Sequence, residues 1–255
     1  MDPGKEDASG FPGSVARRYK LARSDFLQHL AAIAASISHP PLTVFQALQT
    51  GSGERPLLLT FDDGGVSGST VIADLLEERG WRGHFFIATN FIGRPGFLSP
   101  EQIRRLAQRG HVVGSHSCSH PVRMSRCRWE ELIGEWGRSV KILEEILGRP
   151  VQVASVPGGY YSRGVAQAAA RVGLRVIFNS EPTIRARTVE GCTVLGRYSV
   201  YWANPAYTAA QLATGHLWTC AQQSLFWNLK KLAKLLGGNH YLTLWRAVLG
   251  HRSSA

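Results

Sequence analysis

The run Pro56-Leu57-Leu58-Leu59-Thr60-Phe61-Asp62-Asp63-Gly64-Gly65 decides the fold. Leu57–Phe61 is the short apolar run that a strand buried on both faces requires. A Gly-rich turn then leads into a helical pattern over 67–79 that stops at Gly80. The alternation continues outward, with strands predicted at His84–Thr89, Val112–Ser115, Val151–Val156 and Leu174–Asn179. Between them lie helices over 128–147 and 163–172, closed by Gly148 and Gly173, and one that starts at Ser99-Pro100-Glu101-Gln102 and ends at Gly110. That start combines a cap, Pro at N1 and Gln at N3. Upstream, 24–36 reads as a helix with Ser24 as N-cap and Phe26, Leu27, Leu30, Ile33 and Ala34 on one face. His39-Pro40-Pro41 ends it, and a turn follows at Gly51–Gly53. Short apolar strands alternating with amphipathic helices imply an α/β fold with a parallel sheet, open or closed. Beyond Glu190 the rhythm fades into a Trp- and Tyr-rich region and a helix near 222–236.

Composition sets the outer limits. At 255 residues, 44% hydrophobic and 18% charged, the chain has enough apolar surface to offset the entropy of ordering a core. No stretch approaches the roughly 20 apolar residues of a bilayer span. The opening MDPGKEDASGFPG is polar, acidic and rich in Gly and Pro, unlike a secretory signal, and residues 1–20 are expected to form a mobile leader. Cys118, Cys127, Cys192 and Cys220 show no CxxC pairing, which fits a reducing compartment and a cytoplasmic location. The net charge of +11 invites a nucleic-acid or membrane reading. Nucleic acid finds no support, because the basic residues do not cluster with aromatics in a recognisable module. Residues 222–236, QQSLFWNLKKLAKLL, place Leu225, Phe226, Leu229, Leu232 and Leu236 on one face and Lys230, Lys231 and Lys234 opposite. This pattern fits a helix packing its apolar face on the domain with lysines in water, and also a peripheral helix on an anionic membrane.

In parallel α/β folds, reactive groups gather where strands end at the C-terminal edge of the sheet. Three strand ends carry such groups here: Asp62-Asp63-Gly64-Gly65, His116-Ser117-Cys118-Ser119-His120 and Pro157-Gly158-Gly159-Tyr160. Adjacent carboxylates after a buried strand repel, and a divalent metal offsets them directly. Two imidazoles four residues apart can reach one ion, and two His with one carboxylate is a recurrent hydrolytic metal site. The second Asp is then free to act as a base.

Leu59-Thr60-Phe61-Asp62-Asp63-Gly64, followed by Gly114-Ser115-His116-Ser117-Cys118-Ser119-His120-Pro121, resembles motifs one and two of the NodB-homology polysaccharide deacetylases, carbohydrate esterase family 4. Gly80–Ile87 is similar to the second strand of that family, and the likeness covers about 55–185. The resemblance implies a distorted (β/α) barrel, here over 21–205 with a C-terminal helical extension over 206–255. It implies a metal-dependent hydrolase that removes N-acetyl groups from an N-acetylated polysaccharide or lipid-linked sugar. Asp62 would be the general base; Asp63, His116 and His120 would hold zinc, or cobalt or nickel. A backbone N–H near Gly158 or Gly159 would face the substrate oxyanion, with Pro157 and Tyr160 lining the same subsite. Without a signal sequence, the expected substrate is a precursor of bacterial exopolysaccharide or cell envelope.

The sequence departs from the family pattern in two places. Motif three normally begins with an Arg that orients the base, and Ser155 or Val156 stands there. Motif five normally supplies a His as the acid, and Val194–Val200 has none. Arg197, in that stretch, suits either a substrate oxyanion or a pairing with Asp62, and is a poor proton donor. His84 is a candidate substitute acid or a hydrogen-bonded core histidine; Glu181 is a fourth-motif carboxylate or a solvated surface group. These departures keep open a second reading, a non-catalytic carbohydrate-binding protein on a deacetylase scaffold. Hydrolysis of a small cyclic amide is a third, opposed by the intact histidine pair.

Overall fold

The computed structural model describes residues 8–50 and 55–237. The turn expected at Gly51–Gly53, leader residues 1–7 and the extension beyond 237 lie outside the described residues.

Seven strands form one sheet in the order β1-β2-β3-β4-β5-β7-β6. They are β1 (Thr60–Phe61), β2 (His84–Ile87), β3 (Val112–Ser115), β4 (Val153–Ser155), β5 (Val176–Phe178), β6 (Arg187–Val189) and β7 (Cys192–Leu195). All neighbours run parallel except the β6–β7 hairpin, which is antiparallel. The sheet curls into a half-barrel. Its concave side holds Phe86, Val112, Val153, Val176 and Phe178, with Val44 closing over them. Phe85, Ile87, Val113, Ala154 and Ile177 alternate with these and face the helices. Gly114 has no side chain because a Cβ there would lie 2.5 Å from the Val153 carbonyl oxygen and 2.8 Å from the Phe86 ring.

The helices are α1 (Ser14–Arg17), α2 (Arg23–Ser36), α3 (Val44–Ala47), α4 (Ala73–Glu77), α5 (Pro100–Gln108), α6 (Trp129–Leu147), α7 (Arg163–Arg171), α8 (Ala206–Ala213) and α9 (Leu217–Gly237). The Ser99 capping box forms as the sequence predicts. Two details differ. Ser24 lies inside α2, whose N-cap is Ala22, and its hydroxyl turns to Asp25 instead. The helix expected over 67–79 opens as a π-helical turn, Gly68–Ile72, before α4. The β6–β7 hairpin and α8, neither expected from the sequence, fill the region after 185; α8 packs along α2.

His84 lies fully inside the half-barrel. Its Nδ1 faces the Leu59 carbonyl at 2.8 Å and its Nε2 accepts the Val44 N–H at 2.8 Å. The ring is therefore a neutral core group that ties α3 to β2 and bolts the floor of the barrel. Burial pushes its pKa down to about 4, against the Leu59 hydrogen bond, which acts to raise it. Protonation of the unfolded chain near its ordinary value of 6.5 then costs stability. Stability contributed by neutral His84 is fully present above pH 6.5 and is lost as pH falls toward 4. The loss approaches about 3 kcal/mol. Urea unfolding between pH 7.5 and 4.5 should show this slope in the wild type, and His84→Gln should flatten it.

Candidate metal and base site

β1 ends in two aspartates whose backbones diverge at once. Asp63 takes a left-handed conformation, φ 73°, followed by Gly64 at φ 81°. A left-handed non-glycine residue costs about 1–3 kcal/mol and persists only where its surroundings enforce it. The turn aims the two carboxylates at different partners.

Asp63 faces the histidines. Its Oδ1 is 3.3 Å from His116 Nε2 and 3.4 Å from His120 Nε2, and the three ligand atoms lie within 4.8 Å of one another. Metal–ligand bonds of about 2.0–2.1 Å at tetrahedral angles set ligand atoms about 3.3–3.4 Å apart, so this donor set fits a small four-coordinate cation with positions left open. His116 Nδ1 donates to the Ser155 carbonyl at 2.9 Å, which fixes Nε2 as the nitrogen with a lone pair toward the site. Burial acts to raise the Asp63 carboxyl, but the two imidazoles beside it hold it below the ordinary aspartate range.

The histidine loop is itself strained, with Ser117 at φ 62° and His120 at φ 58°. Glu135, on the buried face of α6, holds it. Its Oε2 accepts the Cys118 N–H at 3.0 Å and the Ser119 N–H at 2.8 Å, and its Oε1 accepts the Ser119 hydroxyl at 2.8 Å. The sequence signal for this residue is a carboxylate in line with Leu132, Trp136 and Leu143, where an apolar side chain is the rule. Cys118 is buried with its thiol toward Asn90, 3.1 Å away. Part of the leader docks here too: the Phe11 ring packs on His120 with centroids 4.7 Å apart, and Gly10 N–H reaches the Gly96 carbonyl at 2.8 Å. Mobility was expected over 1–20; residues 9–11 instead pack against the barrel mouth.

Asp62 faces the other way. Arg197, just past β7, meets it with a bidentate pair, Nη1 to Oδ1 at 2.8 Å and Nη2 to Oδ2 at 2.9 Å. Arg197 also donates to Thr60 Oγ1 at 3.2 Å, Ser155 Oγ at 2.9 Å and the Asn179 carbonyl at 3.1 Å. A guanidinium has five N–H donors, and all are used. This selects the pairing role for Arg197 over the alternative of binding a substrate oxyanion. Ser155, at the position where the family pattern has an Arg, donates to Asp62 Oδ2 at 3.2 Å. Burial acts to raise the Asp62 carboxyl, but the charge and hydrogen bonds of Arg197 outweigh it and keep the pKa below the ordinary value.

The remaining expectations divide. His84 is removed as an acid, because both ring nitrogens are engaged in the barrel floor. Pro157–Gly159 forms a single 3₁₀ turn beyond β4, with Gly158 at φ 58° and Gly159 at φ 67°. A Cβ on Gly159 would overlap Ser180. The Gly159 N–H bonds to the Val156 carbonyl at 3.0 Å, which leaves the Gly158 amide as the candidate donor of the pair. Tyr161 packs on the core, whereas Tyr160 lies under the Arg123 guanidinium, 5.8 Å from the ring centroid. Glu181 pairs with Arg187 through its side chain and accepts the Arg197 backbone N–H through its carbonyl. It therefore places Arg197 without touching the carboxylates.

A family model described as polysaccharide deacetylase matches residues 49–177. The peptidoglycan-N-acetylmuramic acid deacetylase PdaA of Bacillus subtilis is 27% identical over 127 residues, 49% of this chain and 46% of the relative. A chitooligosaccharide deacetylase of Bradyrhizobium is 28% identical over 128 residues, 49% of this chain and 56% of the relative. The chain thus spans about half the length of the curated relatives it matches. Among solved structures, the Streptococcus pyogenes deacetylase PplD in complex with acetate superposes with a TM-score of 0.67 at 19% identity, over 84% of this chain and 92% of that one. IcaB from Ammonifex degensii gives 0.65 at 24% identity, over 83% and 94%. At these identities the structural likeness speaks to the fold.

Glu135 gives a test of the cradle that needs no substrate. Glu135→Ala leaves two buried amides and a strained turn without their acceptor. Cobalt titration of the apo protein should then show about tenfold weaker binding or more, the scale on which outer-shell partners act.

Proposed function

Because the chain belongs to the polysaccharide deacetylase family, we propose that it is a metal-dependent hydrolase that releases acetate from an N-acetylated glycan. The observation that carries this reading is the division of labour between neighbouring aspartates: Asp63 is directed at two histidines and Asp62 at a guanidinium. Asp63, His116 and His120 would hold the ion, with zinc the best match to two imidazoles and a carboxylate. A divalent cation there supplies Lewis acidity, polarising a carbonyl oxygen and easing loss of a proton from water.

The chain's own groups do the rest. Asp62 is ionised at neutral pH and has four acceptor positions, of which Arg197 and Ser155 take three. The fourth accepts the proton of the attacking water. With His84 buried in the floor and Arg197 fully engaged, the protonated Asp62 carboxyl returns that proton to the amine as the carbon–nitrogen bond breaks. Water adds its oxygen to the acetyl carbon, its first proton leaves on the amine by way of Asp62, its second stays on the acetic acid, which ionises to acetate on release, and Asp62 ends as it began. The Gly158 amide faces the oxyanion of the tetrahedral intermediate. Pro157, the left-handed glycines and Tyr160 line the sugar subsite. The catalytic unit is placed at 21–205, and the substrate is read as a precursor polysaccharide or lipid-linked sugar.

Arg197 stands in for the orienting arginine of motif three, reaching the same carboxylate from another strand. Acetate release from N-acetylglucosamine oligomers, with and without chelator, tests the activity; Asp62→Asn should abolish turnover. Absence of acetate from the metal-loaded wild type would leave the carbohydrate-binding reading in its place. Arg197→Ala should lower kcat by about a hundredfold or more, the scale of acid–base contributions. Arg197→Lys should not restore it, because one ammonium cannot reproduce the fork. Moving the guanidinium, Ser155→Arg with Arg197→Ala, should recover part of the loss.

A further inference from the structure

Helix α9 meets the domain through a side that carries Gln223, Ser224 and the half-buried Trp227, and leaves an apolar stripe uncovered. The Gln223 amide exchanges two hydrogen bonds with the Ser199 backbone, each 2.9 Å, and Ser224 Oγ donates to the Pro182 carbonyl at 2.7 Å. Five large apolar side chains of the helix are exposed: Leu217 81%, Trp218 68%, Leu225 61%, Leu229 55% and Phe226 53%. Trp218, Leu225 and Leu229 recur at spacings of seven and four, one stripe on an α-helix, and in sequence Leu232 and Leu236 extend it. A surface helix of a self-contained domain shows the opposite arrangement. Leu225 and Leu229, on the face that one of the two sequence readings packs against the domain, are instead exposed.

Charge identifies the occupant. No Asp or Glu follows Glu190, whereas Lys230, Lys231, Lys234, Arg246 and Arg252 do. A second copy pairing through this stripe would bring like charges together, and an anionic lipid surface offsets them. Among the described residues no helix is long and apolar enough to cross a membrane, so the stripe suits a helix lying in the interface. We propose that α9 docks the protein on an anionic lipid surface. Its anchors are the segments that carry the site: Ser199 lies two residues past Arg197, and Pro182 follows Glu181, whose carbonyl accepts the Arg197 N–H. The docked helix therefore holds the mouth of the half-barrel beside the lipid, where a glycan carried on that surface is within reach. This last step rests on the deacetylase reading; the docking does not.

Co-sedimentation of the full chain with vesicles tests the docking directly, comparing phosphatidylcholine alone with a mixture containing about 30% phosphatidylglycerol, at low and high salt. The wild type should bind the anionic vesicles and lose at least about tenfold in affinity on neutral vesicles or in high salt. Leu225→Glu with Leu229→Glu should weaken binding by more than about tenfold while acetate release from soluble oligomers stays unchanged. Lys230→Glu with Lys231→Glu and Lys234→Glu, which leaves the stripe intact, should weaken it about a hundredfold, at roughly 1 kcal/mol per charge. No binding by the wild type, or equal binding by all variants, overturns the proposal. So does a wild-type dimer in light scattering that the double variant converts to monomer without any vesicle binding, which would make the stripe a contact between copies. Loss of acetate release with docking intact would overturn the catalytic reading alone.

Discussion

The ion pair between Arg197 and Asp62 holds the mouth of the half-barrel together. β1 is an edge strand, and no backbone ladder joins it to β7 across the opening of the curled sheet. Arg197 spans that opening: it binds Thr60 and Asp62 on one side and Ser155 and the Asn179 carbonyl on the other. Removing two charges from water is costly unless the pair is geometrically sound and every remaining donor is satisfied. Here the fork is bidentate and no donor is left over. The same pair keeps Asp62 ionised and turns it away from Asp63, so that one aspartate faces the histidines and the other the guanidinium.

Around this pair the site is built from backbone strain held in place by buried acceptors. Asp63, Ser117 and His120 all sit at positive φ, and all three belong to the cation cradle or its connecting turn. Glu135 offsets the strain in the histidine turn with three hydrogen bonds from a rigid helix. Ser155 links the two halves of the site, since its hydroxyl donates to Asp62 and its carbonyl receives the His116 Nδ1–H. Side chains held this way keep their geometry before any ligand arrives, and electrostatic catalysis depends on that preorganisation.

Much of this was legible in the sequence because local chemistry and tertiary context agreed. The apolar run ending in His116 sits on the central parallel strand β3, where burial on both faces enforces the pattern, and the run ending in Asp62-Asp63 leads into the half-buried edge strand β1. Ser99 caps α5 because box, proline and glutamine coincide. Strand β3 has the predicted bounds, while the other four predicted strands came out shorter than their apolar runs; ahead of β1 the Leu59 carbonyl still accepts the His84 N–H and the Leu57 carbonyl the Leu42 N–H. The hairpin β6–β7 was not legible, since Arg187-Thr188-Val189 is mostly exposed and carries little apolar signal. Arg197 was visible as an anomaly with two candidate partners, a substrate oxyanion and Asp62, and only the bidentate geometry selects the second. His84 was a second such case. A polar residue opening an apolar strand reads either as an acid or as a core histidine, and its two hydrogen bonds select the second.

The central claim is that neighbouring aspartates have separate duties, one toward a cation and one toward a guanidinium. Calorimetric titration of zinc into the metal-free chain tests it most directly, with Asp62→Asn and Asp63→Asn measured side by side. The account predicts one ion per chain in the wild type, near-wild-type affinity in Asp62→Asn and loss of the site in Asp63→Asn. Equal loss in both variants, or no stoichiometric binding by the wild type, would contradict it.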